Sequence, residues 1–101
     1  MNNDTDSLNE KKVLITGGGS GMGRAVALSM GEEGACVGIC GRRKDALLET
    51  INLVEAGSKP KEFVSDVTDR SSVGKLFDWF DEEFGSLDIL VHAAGLNIAN
   101  R

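Results

Sequence analysis

Thr16-Gly17-Gly18-Gly19-Ser20-Gly21-Met22-Gly23 follows directly on the apolar run Val13-Leu14-Ile15 and precedes a segment of helical period. A turn leading from a buried strand into a helix leaves several backbone N–H groups unpaired at the helix N-terminus, and with the helix dipole these form a site for a phosphate. Glycine suits such a turn because it accepts positive φ and because, lacking Cβ, it lets the backbone come close to a pyrophosphate. The spacing narrows the choice. G-x-G-x-x-G fails in every register, since a start at Gly17 puts Met22 last and a start at Gly19 puts Arg24 last. A P-loop fits from Gly18 to Gly23 but then needs Lys and Ser/Thr for the phosphates and Mg²⁺, where this chain has Arg24 and Ala25.

Working outward, apolar runs of strand length recur at 12–16, 35–40, 62–65 and 87–92, with segments of helical period between them. This β-α-β-α-β-α-β alternation predicts an α/β fold with a Rossmann-like, doubly wound parallel sheet whose strands are apolar on both faces because helices cover both. The first helix is expected to run from the glycine turn to about residue 33, burying Val26 and Met30 and stopping at Gly34. The second, expected over 43–56, places Leu47, Ile51 and Val54 on one face and ends at Gly57. In the third, Val73, Leu76, Phe77, Phe80 and Phe84 keep the helical period, with Thr68 as N-cap and Gly85 as C-terminal stop. Its aromatic stripe faces the core or a subunit interface, the latter implying a homo-oligomer. Right-handed crossovers put the first two helices on one face and send the third connection back across the sheet, giving strand order 3-2-1-4. The switch point between strands 1 and 4 is then where the glycine turn sits and where open α/β sheets bind ligands.

With 101 residues, 41% apolar and 27% charged, the chain is sized and composed for one soluble domain over 12–101. Residues 1–11 are polar apart from Met1 and Leu8 and read as a disordered leader without the apolar stretch of a signal peptide. The formal charge of −5 argues against nucleic acid or an anionic membrane as partner, and no apolar run is long enough for a membrane span. A cytoplasmic location is the expectation. Cys36 and Cys40 are the only cysteines. On a strand they would lie ~13 Å apart, which excludes a disulfide between them, and with no histidine close in sequence they make a poor zinc site. Both read as small buried apolar residues, and no metal site is expected.

The spacing T-G-x-x-x-G-x-G over Thr16–Gly23 resembles the short-chain dehydrogenase/reductase family in its classical form. The extended form spaces its glycines T-G-x-x-G-x-x-G, and Ser20 stands where its middle glycine would be. The resemblance implies a nicotinamide dinucleotide held by Gly17, Gly19, Ser20, Gly21, Met22 and Gly23. At the end of strand 2 the family chooses between NAD and NADP, with an acid for the ribose 2′-OH or an uncharged residue and Arg for a 2′-phosphate. Gly41-Arg42-Arg43 in that place implies NADP rather than NAD, since the Arg fork suits phosphate. The alternative for Arg42-Arg43-Lys44 is a solvated helix start, although cations there oppose the helix dipole unless an anion is close.

Asp66-Val67 resembles the family pair that contacts adenine, the carboxylate accepting from the exocyclic amine and Val67 packing on the ring. Asp66 is equally a turn residue ahead of the third helix. The stretch from Leu87 to Gly95 resembles the family's strand 4, which ends Asn-Asn-Ala-Gly; His92 and Ala93 depart from it, and Ala94-Gly95 keep it. The resemblance puts His92, Ala93 and Gly95 at the cofactor, with His92 a ribose contact, a proton carrier or a structural substitute for Asn. The family's catalytic Tyr-x-x-x-Lys lies beyond strand 4, and this chain has no tyrosine, so no catalytic residue is assigned. Family members are more than twice this length. Two functions stay open: the cofactor-binding N-terminal part of an oxidoreductase acting on a small carbonyl or alcohol substrate, or a non-catalytic nucleotide-binding or interaction module.

Overall fold

Strand order in the computed structural model is β3-β2-β1-β4, all neighbours parallel, as the crossover argument requires. The structure describes residues 8–93, and the elements run β1 Lys12–Thr16, α1 Gly21–Glu32, β2 Cys36–Gly41, α2 Lys44–Asn52, β3 Lys61–Val64, α3 Arg70–Phe84 and β4 Ile89–His92. Strand β1 lies at the centre, where Val13, Leu14 and Ile15 are wholly buried. Its alternate residues feed two cores. Val13 and Ile15 pack with Val37, Ile39, Ala27 and Leu47 beneath α1 and α2, whereas Leu14 packs with Cys40, Leu76 and Phe80 beneath α3. The helices thus divide between the two faces of the sheet.

Helix α1 buries Gly23, Ala27 and Gly31 instead of the expected pair, and Val26 and Met30 are only partly buried. Gly23 and Gly31 let the helix lie close to the glycine turn and to Ser58 respectively. Helix α2 stops at Asn52, short of the expected 56, where Leu53 N–H donates to both Glu49 O and Thr50 O at 3.2 and 3.1 Å. The chain then turns back, because Gly57, at φ +88°, must fit against the Gly31 carbonyl of α1 with no room for a Cβ. Helix α3 is capped by Asp69, whose carboxylate accepts from Ser71 N–H, and not by Thr68. Thr68 is already spent on Asp66, to which its hydroxyl donates at 2.6 Å. Gly85 does end α3, at φ +86°.

The aromatic stripe of α3 is core: Phe80 stacks on Phe84 at 4.4 Å, and Trp79 stacks on Phe63 of β3 at 5.0 Å. Phe77 alone of the stripe is markedly exposed. Both cysteines are free, Cys40 buried and Cys36 partly so. The leader expected over 1–11 falls largely outside the described residues, and its last four are held rather than loose. Lys11 N–H closes a turn onto Leu8 O at 3.1 Å, and Glu10 N–H donates to Gly34 O at 2.9 Å. Among the described residues no helix is long and apolar enough to cross a membrane, and no cluster of His, Cys, Asp or Glu could hold a metal ion.

Candidate functional site

The carboxyl ends of β1 and β4 flank the point where strand order reverses, and a cleft of about 620 Å³ opens there. Ligand pockets commonly fall in this size range. Its lining joins the glycine turn (Gly17, Gly19, Ser20) to the end of β2 (Gly41, Arg42, Arg43), the end of β3 (Asp66, Val67, Thr68) and His92. Eight of the residues singled out from the sequence therefore meet in one cavity. A second cavity of about 290 Å³, between Lys12, Cys36, Lys61 and Phe84, lies at the opposite, amino end of the strands, away from all of them.

In the glycine turn each residue has a distinct duty. Gly17 and Gly18 donate to Cys40 O at 2.8 and 3.0 Å, which pins the turn to β2. Gly23 lines no part of the cleft; a Cβ there would run into the Gly17 carbonyl, so its smallness serves the close approach of α1 to the turn. Gly21 adopts φ +57° with open space where its Cβ would point, and it is not part of the cleft lining. Ser20 makes no side-chain cap, and the first turn of α1 holds no acidic residue. The N-terminal N–H groups of α1 thus suit an anion from outside the chain. Met22 is half exposed and contributes no side chain to the cleft.

At the far end of the cleft the two arginines differ. Arg43 donates to Asp45 Oδ2 at 3.2 Å, and this neighbour holds the Asp45 carboxyl below the usual carboxylate range. Asp45 is the anion that offsets the cations at the start of α2, and it leaves Arg42 as the arginine without a carboxylate bonded to it. Asp66 accepts at Oδ1 from both the hydroxyl and the backbone N–H of Thr68, at 2.6 and 2.9 Å. These bonds lower its pKa, with a smaller contribution from the charge of Arg42. The turn reading of Asp66 is thus met by its Oδ1, and the residue also lines the cleft.

His92 Nδ1 lies 2.8 Å from Thr16 Oγ1. Ala93 is buried and its N–H donates to Thr16 O at 3.1 Å, which continues the β1–β4 ladder and keeps it out of the cleft lining. Gly95 lies outside the described residues. Ala46 and Leu47 of α2 form the floor between the glycine turn and Arg42, a part the motif reading missed. The signal was present in Leu47, assigned to the buried stripe of α2 at the turn nearest the arginines.

Known proteins share this arrangement. The short chain dehydrogenase family model matches residues 11–101. An uncharacterized oxidoreductase of Staphylococcus aureus is 37% identical over 94 residues, covering 93% of this chain and 40% of its own length. The apo form of glucose dehydrogenase from Caenorhabditis elegans superposes with a TM-score of 0.82 at 37% identity, covering 93% of this chain and 41% of that one. NAD⁺-bound xylitol dehydrogenase superposes with a TM-score of 0.79 at 33% identity, covering 83% of this chain and 33% of that one. The chain therefore spans well under half the length of these relatives. With the fold, the switch-point cleft and a family match over nearly the whole sequence, the chain belongs to the short-chain dehydrogenase/reductase family of nicotinamide-dependent oxidoreductases.

Proposed function

We propose that this chain is the cofactor-binding part of an NADP-dependent oxidoreductase that moves a hydride between a nicotinamide and a carbonyl or alcohol carbon. The observation that carries the proposal is a single cleft with uncapped helix N–H groups at one end and the Arg42 guanidinium, with no acid at the Gly41 position, at the other. Residues 12–101 form the dinucleotide-binding domain behind the leader 1–11. Gly17, Gly19, Ser20 and the backbone of Gly21, Met22 and Gly23 take the pyrophosphate. Arg42, seconded by Arg43, takes the 2′-phosphate; Asp66 and Val67 take the adenine; His92 and Gly95 border the nicotinamide ribose, with Ala93 behind His92 in the β1–β4 ladder.

When bound, the nicotinamide supplies the hydride chemistry, and the protein's share is to bind and orient it. The NAD⁺ carried by the xylitol dehydrogenase makes the choice of cofactor the point to test. Titration of the chain with NADPH and NADH, followed by cofactor fluorescence, is expected to show tighter binding of NADPH. Equal affinities would remove the NADP assignment, and binding of neither would remove the dinucleotide reading. The absence of tyrosine favours, for these 101 residues taken alone, the second reading of a non-catalytic nucleotide-binding or interaction module. NADPH oxidation by the polypeptide that carries this chain separates the two.

A further inference from the structure

Arg24, which the P-loop comparison only set aside, makes the densest set of side-chain bonds in the described structure. Its Nε donates to Thr50 Oγ1 at 2.9 Å, and its Nη2 reaches Gly19 O at 2.5 Å, Ala46 O at 3.2 Å and Glu49 Oε1 at 2.9 Å. Thr50 is wholly buried and passes the connection on, its hydroxyl donating to Gly18 O at 2.7 Å. Two successive carbonyls of the glycine turn are thereby held, Gly18 by Thr50 of α2 and Gly19 by Arg24 of α1, which is itself bonded to α2. In a trans peptide the C=O and the following N–H point in opposite directions, and no cis peptide occurs among the described residues. Fixing these carbonyls therefore turns the Gly19 and Ser20 N–H groups away from Arg24 and Thr50. Gly17 and Gly18 N–H are already spent on Cys40 O, so Gly19 and Ser20 are the first donors of the turn left for a ligand.

A cation in the first turn of a helix opposes the dipole, a local cost that the acceptors around Arg24 offset. The same bonds tie the turn to α2, which begins directly after Arg42 and Arg43. We propose that Arg24 and Thr50 form a clamp that presents the glycine-turn N–H groups to the cofactor pyrophosphate, Arg24 being a positioning residue that itself touches no ligand. This rests on the dinucleotide reading above.

The test titrates the chain with NADPH and, by NMR, with adenosine 2′-monophosphate, which has the adenine end and no pyrophosphate. Arg24→Met and Thr50→Val are each expected to weaken NADPH binding about tenfold, the loss of charge-assisted or buried hydrogen bonds. The double variant is expected to lose little more than either single one, because the two residues act as a unit. Adenosine 2′-monophosphate affinity stays within about twofold, and Thr50→Ser, which keeps the hydroxyl, restores NADPH binding. Wild-type NADPH affinity in Arg24→Met overturns the clamp. So does an equal loss of both ligands, or loss of cooperative melting with no rescue by Thr50→Ser, since each marks a general structural role. Failure of the wild-type chain to bind NADPH or NADH instead overturns the dinucleotide reading, and the clamp falls with it.

Discussion

Thr16 Oγ1 and His92 Nδ1 stand 2.8 Å apart at the carboxyl ends of β1 and β4, where the two residues are register partners in the parallel ladder. The bond ties an exposed imidazole that lines the cleft to the first residue of the glycine motif. His92 thus does the structural work of a strand-end side chain at the rim of the cleft. His92→Ala is expected to weaken dinucleotide binding by about 2- to 10-fold, one neutral hydrogen bond. His92→Asn, which offers a similar reach, should stay near wild type. Fluorescence titration of both variants checks this, and wild-type affinity in His92→Ala would leave the residue a purely structural role.

Arg42 and Arg43 are adjacent, yet they should respond differently. Arg43 is drawn toward Asp45, whereas Arg42 lines the cleft near Asp66 without such a partner. Arg42→Ala is expected to lower NADPH affinity about 10- to 100-fold, as a charge-assisted phosphate contact implies, and to leave NADH affinity almost unchanged. Arg43→Ala should cost less. A uniform loss for both cofactors in Arg42→Ala would show that the arginine reads no 2′-phosphate.

The glycines of the turn divide into those that serve the fold and those that serve the ligand. Gly23→Ala pushes a Cβ into the Gly17 carbonyl, so it should lower the melting temperature along with cofactor binding. Gly21→Ala meets open space and strains only its left-handed backbone, about 1 kcal/mol, so the chain should stay folded. Its dinucleotide affinity should nevertheless fall. Calorimetry beside a binding titration separates the two, and a stability loss in Gly21→Ala as large as that in Gly23→Ala would contradict this division.

What was readable in the sequence follows from the range of each interaction. Strand order and the two helix layers came from local periods combined with the handedness of crossovers, and the glycine turn from spacing alone. The cap of α3 was misplaced by one residue because Thr68 and Asp69 are both good caps; only the bond from Thr68 to Asp66 decides between them. Val26 and Met30 carry the apolar period of α1, but Gly23, Ala27 and Gly31 are the residues buried, because close approach at Gly23 and Gly31 depends on neighbours outside the helix. The Arg24–Thr50 contact joins residues 26 apart, beyond any motif. A faint signal existed, for Thr50 is a polar residue beside Leu47 and Ile51 on a helix whose other face is charged.

Cys40 gives the fold an alkaline limit. Burial pushes its thiol from 9.0 up to about 11, against a smaller lowering by a backbone hydrogen bond from Gly17. Above pH 9 the unfolded chain releases a proton that the folded chain retains, so stability is level below that pH and falls as pH rises toward 11. Two pKa units correspond to roughly 2–3 kcal/mol. Denaturant unfolding at pH 8 and pH 10.5 should show this decline in the wild type. It should show a distinctly smaller one in Cys40→Ala, whose lower starting stability reflects the cavity left behind. Equal declines in the two proteins would assign the alkaline loss to other groups.

The 101-residue chain, finally, is expected to bind a dinucleotide and to reduce no carbonyl. A carbonyl carbon that accepts a hydride leaves an oxyanion needing a positioned proton donor, and general acid catalysis commonly contributes about 10²- to 10⁴-fold. The tyrosine that supplies this proton in the family has no counterpart here, because the sequence contains no tyrosine. His92, the only histidine, is at the cleft but has Nδ1 committed to Thr16 and is exposed to solvent. Among the described residues β4 pairs with β1 alone, and Leu90 on it is 51% exposed. The assay is NADPH oxidation by the purified chain over a panel of ketones and aldehydes, with a full-length family member as positive control. No turnover above background is the expected outcome; turnover near that of the control would refute it, and loss of that turnover in His92→Ala would then identify the donor.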